Sequence, residues 1–211
     1  MTNILKSHLF DSAIAVAYLR DVDVGLERCI KLVGECQLSV LRNRSVFEYL
    51  VRSIVYQQLT GRAAATIHSR LLDKFPYRRV RPDQLLALQM SDLRSAGLSK
   101  SKCKALQHLA ESALEGTLPK TPELHQMTDE EIVQRLTLIW GIGRWTAEML
   151  LIFYLGRPDV LPINDLGIRK GYQRLRGYST LPPIDRLQRA GERWRPYRTV
   201  ASWYLWRYLD V

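Results

Sequence analysis

With 211 residues, 46% hydrophobic and 9% aromatic, the chain has the apolar mass for one full core or two small lobes, which excludes disorder as the default. No apolar run approaches the roughly 20 residues needed to span a bilayer, and MTNILKSHLFDS lacks the basic start and apolar stretch of a secretory signal, so an intracellular, non-membrane protein is expected. The excess of 31 Lys and Arg over 21 Asp and Glu gives a formal charge of +10, which favours a polyanionic partner, nucleic acid first, over a merely solvated basic surface.

Apolar residues recur at helical spacing almost throughout, and no alternating segment bounded by turn signals appears, so the expected fold is all-α. The spacing predicts a helix over 45–57 with Phe47, Leu50, Val51, Ile54 and Val55 inward, and another over 61–75 with Ala64, Ile67, Leu71 and Leu72 set to pack against it. Pro76 and Pro82 then break the chain. Ser91 is placed to cap a short helix that stops at Gly97, and a longer helix over 99–114 ends before Gly116. Thr128 and Glu131 have capping-box spacing and open a helix toward Leu138. A helix from about 143 to 154 ends near Gly156 and Pro158, the loop RPDVLPIN leads to Asp165, and a new helix carries Arg169 and Lys170. The last helix begins near Pro196. DLRSAGLSKSKCKAL at 92–106 echoes TLIWGIGRWTAEML at 137–150, and each has the form of a helical hairpin with a glycine turn.

Cys29, Cys36 and Cys103 include no CxxC pair, which argues for buried or incidental thiols over a disulfide framework or a zinc knuckle. The four histidines never stand at the i, i+4 spacing of a helical metal site, which argues against transition-metal catalysis.

The pair Gly141 and Gly143 asks for explanation, because glycine at a helix start costs stability unless the backbone needs the freedom. One reading is a turn that requires positive φ. The other is an anion site: without Cβ atoms, the first amides of the new helix are open to a phosphate and the helix dipole favours it, with Arg144 adding charge and Thr146 within the same first turn. Trp140, Trp145, Trp203 and Trp206 are an unusual concentration interleaved with Arg144, Arg195, Arg198 and Arg207, and at helical spacing tryptophans read first as core residues.

The stretch LIWGIGRWTA resembles the hairpin of the helix-hairpin-helix base-excision DNA glycosylase superfamily, which grips a DNA strand by its phosphates. That superfamily carries an essential aspartate beyond the hairpin, and Asp165 lies 22 residues past Gly143. Three further segments, FEYLVRSIVYQQLTGRAAATI, AGLSKSKCKALQHLAE and RWRPYRTVASWYLW, are most similar to the 3-methyladenine DNA glycosylase II family. The resemblance covers most of residues 45–206; the first forty residues match weakly.

The resemblance implies a single two-lobed unit over 1–211, with a central helical lobe at 42–157 bearing the helix-hairpin-helix at about 132–154, a second lobe from 1–41 and 158–211, and Asp165 in the cleft between them. It implies hydrolysis of the N-glycosidic bond of alkylated purines in duplex DNA by a monomer, with Asp165 stabilising the cationic sugar, orienting water, or both; a helix N-cap role for Asp165 is compatible with either. It assigns Trp145 and Trp206 to the base pocket, with Tyr56 toward the cleft. Met149 and Leu166 complete the implied pocket, at positions where family members can carry tyrosine. Gln58 or Leu59 in QQLT is the wedge that fills the stack when the base is extruded, with Leu59 as plain core the alternative. Where related enzymes that nick DNA place a lysine, this chain has Trp145, which implies a monofunctional enzyme, although Lys170 stands on the Asp165 helix. The iron–sulfur cluster of some relatives is not expected, since no C-terminal cysteines exist to ligate it. No cofactor is expected for catalysis, and the resemblance implies a structural Na+ or K+ on the backbone carbonyls of Thr137, Ile139 and Ile142. The rivals are a non-catalytic DNA-binding hairpin module, a glycosylase of the same superfamily with a different damaged-base specificity, and a protein-interaction scaffold.

Overall fold

Asp11 and Asp23 open the first two helices: each carboxylate accepts from two amides of the turn it begins, giving α1 (Ser12–Val22) and α2 (Val24–Val33). These helices lie in the region where the sequence carried the weakest signal. The computed structural model describes residues 11–41 and 44–211, and among them it contains helices and turns but no strand. The described residues fall into two compact units, residues up to Val40 together with Leu151–Val211, and Leu41–Leu150.

In the 41–150 unit, α3 (Val46–Tyr56) begins at Ser45 with a full capping box to Glu48, and the five residues read as inward are all buried. The Glu48 carboxylate also pairs with Arg79 at 2.7 Å, so its burial is compensated. After α4 (Gly61–Leu72), α5 (Pro82–Ala87) and α6 (Met90–Ser95), the long α7 (Lys100–Leu114) starts from Ser99. Ser91 does not cap α6: Gln89 occupies that position, with its N–H held by Asp92 at 3.1 Å, so Ser91 lies inside the helix. On α4 the sequence placed Ile67 in the core, but Ile67 is half-buried beneath Gly97 and His68 is the buried neighbour. Next come α8 (Thr121–Gln126), α9 (Asp129–Thr137) with the Thr128–Glu131 capping box, and α10 (Arg144–Leu150). Both glycine turns, between α6 and α7 and between α9 and α10, use a positive φ, +102° at Gly97 and +89° at Gly141.

In the other unit the helix predicted over 143–154 changes character, since α10 runs on into a π-helical turn, Leu151–Leu155. Then follow α11 (Leu166–Arg176), α12 (Ile184–Gly191) and α13 (Arg198–Arg207). Gly171 on α11 lies against the Leu205 carbonyl of α13, where a Cβ would sit only 2.2 Å from that oxygen. At the centre of this unit, buried Asp23 accepts from Trp194 Nε1 at 2.9 Å and pairs with Arg176, joining α1, α2, α11 and the chain before α13. The three cysteines are buried, and burial pushes the Cys29 thiol up to about 12.

Candidate active site

The two hairpin glycines do different things. A side chain at Gly141 is barred twice, by φ of +89° and by a Cβ that would lie 2.5 Å from Ala105 Cβ on α7. Gly143 has no positive φ and nothing within 4 Å of its missing Cβ. The turn geometry explains the first glycine; the second leaves open space where the amides of a helix N-terminus begin. Beside it Arg144 makes a two-pronged pair with Glu130, at 2.7 and 3.2 Å, on the surface. An exposed pair of that kind is worth about 0–1 kcal/mol and yields readily to a phosphate. Thr146 offers less than the sequence suggested: its side chain is buried and its hydroxyl accepts from Gln57 Nε2 at 3.3 Å, so only its backbone belongs to an anion site. His108 Nδ1 accepts the Trp140 N–H at 2.9 Å and fixes the start of the turn, a role its isolated place in the sequence did not signal.

The segment QQLT lies at the end of α3. Gln57 (φ −53°, ψ 131°) followed by Gln58 at φ +54° makes a type II turn, closed by Leu59 N–H to the Tyr56 carbonyl at 3.4 Å. Position three of that turn favours glycine, so a glutamine there is strained by about 1 kcal/mol or more. Gln58 is exposed, and Leu59 is 40% exposed, so Leu59 is not a core residue. Gln57 Nε2 reaches the Gly141 carbonyl at 3.0 Å, and Lys102 Nζ donates to the carbonyls of Val55 and Gln57 at 2.8 Å each. Burial holds the Lys102 ammonium below the usual lysine range.

Of the other pocket candidates in this unit, Trp145 is 46% exposed and so presents an indole to the surface. Tyr56 is half-buried with the Arg52 guanidinium 4.0 Å over its ring, so one aromatic face is taken. Met149 is buried and gives its carbonyl to Tyr49 Oη at 2.9 Å, leaving little side-chain surface for a ligand.

In the other unit Asp165 is the N-cap of α11, its Oδ1 accepting from Ile168 N–H at 2.8 Å and from Trp206 Nε1 at 2.9 Å. Trp206 stacks on Phe153 with ring centroids 5.9 Å apart, so one indole face is covered and its N–H is committed to the aspartate. The loop into Asp165 is pinned from α13: Thr199 Oγ1 bridges the Arg157 carbonyl and the Val160 N–H at 2.6 and 3.0 Å, and Ser202 Oγ donates to the Val160 carbonyl. Arg198 grips Asp159 through Nε at 2.6 Å, and Arg195 pairs with the same carboxylate. These two arginines therefore brace the loop. Leu166 is exposed next to the cap.

Most of the chain is matched by known proteins. Residues 51–196 match the HhH-GPD superfamily base excision DNA repair protein family. The chain belongs to this family. Within HhH-GPD, the chain is 36% identical over 199 residues to DNA-3-methyladenine glycosylase 1 of Schizosaccharomyces pombe, covering 92% of this chain and 86% of that protein. It is 31% identical to the alkylbase DNA glycosidase-like protein mag2 of the same organism, covering 92% of each. The structure of S. pombe 3-methyladenine DNA glycosylase (Mag1) in complex with abasic DNA superposes with a TM-score of 0.85 at 35% identity, covering 94% of this chain and 97% of that one. The matched HhH-GPD segment includes Lys102, the hairpin and Asp165; Trp206 lies beyond it, 41 residues from its hydrogen-bond partner. No periodicity or spacing links those two residues in the sequence.

Proposed function

We propose that this protein is a monofunctional DNA glycosylase that removes alkylated purines from damaged double-stranded DNA as a monomer, leaving an abasic site. The observation that carries the reading is Asp165, held by the Ile168 amide and the Trp206 indole at the start of α11, in a chain of the HhH-GPD family. Breaking the C1′–N bond sends the electron pair to the base and leaves positive charge on the sugar. A carboxylate already fixed in place stabilises that charge more in the transition state than in the ground state. Water adds to C1′ and releases a proton to solvent, and Asp165 is the candidate to orient it. An N3- or N7-alkylated purine is cationic, so it leaves as a neutral base without a strong acid, and the exposed Trp145 indole attracts such a base by about 0.5–2 kcal/mol.

DNA is gripped at Gly141, Gly143 and Arg144, with the Thr146 backbone in the same turn. The base is extruded as Gln58 or Leu59 fills the stack. The carbonyls of Thr137, Ile139 and Ile142 suit a weakly held Na+ or K+: they are neutral hard oxygens, and the Ile139 carbonyl, which accepts the Ile142 N–H at 3.0 Å, keeps a second lone pair. Such an ion would brace the turn and takes no part in bond cleavage.

The test is to incubate the protein and its Asp165→Asn variant with methylated duplex DNA and identify the released bases by chromatography, with and without an abasic-site endonuclease. Alkylated purines are expected from the parent alone, and strand breaks only when the endonuclease is added. No released base would reduce the protein to a DNA-binding hairpin module.

A further inference from the structure

The strained turn after α3 is held from two sides by residues that contact neither the sugar nor the base in the scheme above. Lys102, in the first turn of α7, reaches across to α3 and places its ammonium on the carbonyls of Val55 and Gln57, both at 2.8 Å. Those carbonyls belong to the last turn of α3 and to the second residue of the type II turn, where intrahelical donors have run out and a cation is favoured by the helix dipole. The Gln57 side chain ties the same turn to the hairpin through the Gly141 carbonyl at 3.0 Å and Thr146 Oγ1 at 3.3 Å. Between these two anchors stands Gln58, exposed, at a φ of +54° that it would leave if the turn were loose.

A side chain pushed into a base stack is pushed back with equal force, and a turn at a helix end yields unless its backbone is fixed. We propose that Lys102 and Gln57 form a clamp that stiffens the Tyr56–Leu59 turn against the hairpin, making Lys102 a positioning residue for base extrusion. The inference rests on the wedge reading of Gln58 or Leu59. The clamp couples the wedge to the element that holds the phosphate, so the force of insertion is returned to the DNA backbone and not spent on bending the loop. Two carbonyls on one ammonium of a half-buried lysine give the anchor a charge-assisted strength that a neutral donor would lack.

The test compares single-turnover excision of one 7-methylguanine paired with cytosine against the same lesion left unpaired opposite an abasic-site analogue, where extrusion costs least. Lys102→Met should slow excision from the paired duplex by roughly tenfold or more, the scale of an ångström-level misplacement, and alter excision of the unpaired lesion by less than about twofold. Lys102→Arg, which keeps a cation for the two carbonyls, should recover most of the lost rate. Fluorescence of a 2-aminopurine beside the lesion should show the same selective loss on binding. Equal slowing on both substrates, or none on either, by Lys102→Met and by the milder Lys102→Gln in folded protein would overturn the clamp. Gln58→Ala and Leu59→Ala are measured alongside. If neither slows the paired substrate selectively, the wedge reading fails; if one does and the Lys102 variants do not, the clamp alone fails.

Discussion

Trp206 donates its indole N–H to Oδ1 of Asp165 because residue 167, between the aspartate and the body of α11, has no side chain. A Cβ on Gly167 would lie 2.9 Å from Trp206 Cδ1, closer than real contacts allow, and 3.0 Å from Asp165 Oδ1, tighter than most. Four residues on, Gly171 gives the α13 backbone the same clearance at Leu205. The pair of glycines lets α13 lie close enough for the indole to reach the carboxylate, and Phe153 stacks behind it. Gly167→Ala should therefore displace Trp206 and lower the single-turnover excision rate at least about tenfold. Trp206→Phe, which keeps an aromatic ring, though a smaller one, and loses a hydrogen bond to a charged group worth about 1.5–3 kcal/mol, should do the same with little change in DNA affinity. An unchanged rate for both variants would show that the aspartate needs no such support.

The hairpin glycines should separate stability from binding. Gly141→Ala forces a Cβ to 2.5 Å from Ala105 and an alanine to φ +89°, so it should lower stability by about 2 kcal/mol or more, read as a fall in thermal midpoint. Gly143→Ala meets open space at an ordinary φ and should unfold within about 0.5 kcal/mol of the parent. Its cost should appear in DNA affinity and in a shallower dependence of that affinity on salt, since phosphate contacts set the salt slope. A Gly143→Ala protein that binds DNA as the parent does would remove this glycine from the interface.

The Asp23 centre sets a pH dependence of folding. Burial alone would raise this carboxyl, but hydrogen bonds from Trp194 and Arg176, with the charge of Arg176, outweigh it and hold the group below the usual range. A lowered folded value means that the stabilisation is complete above the unfolded carboxylate value of about 3.9 and is lost as pH falls through the folded one. Asp23→Asn leaves the largely buried Arg176 without its counter-charge and should cost about 3 kcal/mol at pH 7. The gap between parent and variant in urea unfolding should narrow below about pH 4. A gap that stays constant down to pH 3 would contradict the pairing.

Local signals were the ones the sequence displayed openly. Thr128 with Glu131 and Asp165 before an apolar run are caps written within four residues, and each caps its helix as read; Ser45 with Glu48, where the spacing predicts only the helix, is a cap of the same kind. Asp11 and Asp23 carry the same kind of signal before α1 and α2, but the resemblance faded there and the two helices went unread. What the sequence could not display depends on distant partners. Gly141 and Gly143 look alike until Ala105 is found against only one of them. Lys102 reads as one more surface cation in a basic chain until its ammonium meets α3. Trp206 could be placed near the chemistry by resemblance, but its bond to Asp165 depends on Gly167 and on the packing of α13.

Strand cleavage is the finer question, and the residues argue for hydrolysis alone. A glycosylase that also nicks DNA needs an unprotonated amine that displaces the base at C1′, after which the sugar ring opens to a Schiff base that drives elimination of the 3′ phosphate. At the position after Arg144, where the resemblance implies a lyase lysine, the chain presents the indole of Trp145, which has no nucleophilic amine. Lys170 is the remaining amine on the aspartate's helix, but it is exposed and five residues beyond Asp165, outside the three- and four-residue spacings that align side chains on one helix face. Borohydride added during turnover should therefore trap no covalent protein–DNA adduct, because the proposed hydrolysis by water passes through no imine that could be reduced to a stable amine. Lys170→Ala should excise at the parent rate. A trapped adduct that disappears in Lys170→Ala would instead make that lysine the nucleophile and the enzyme a lyase.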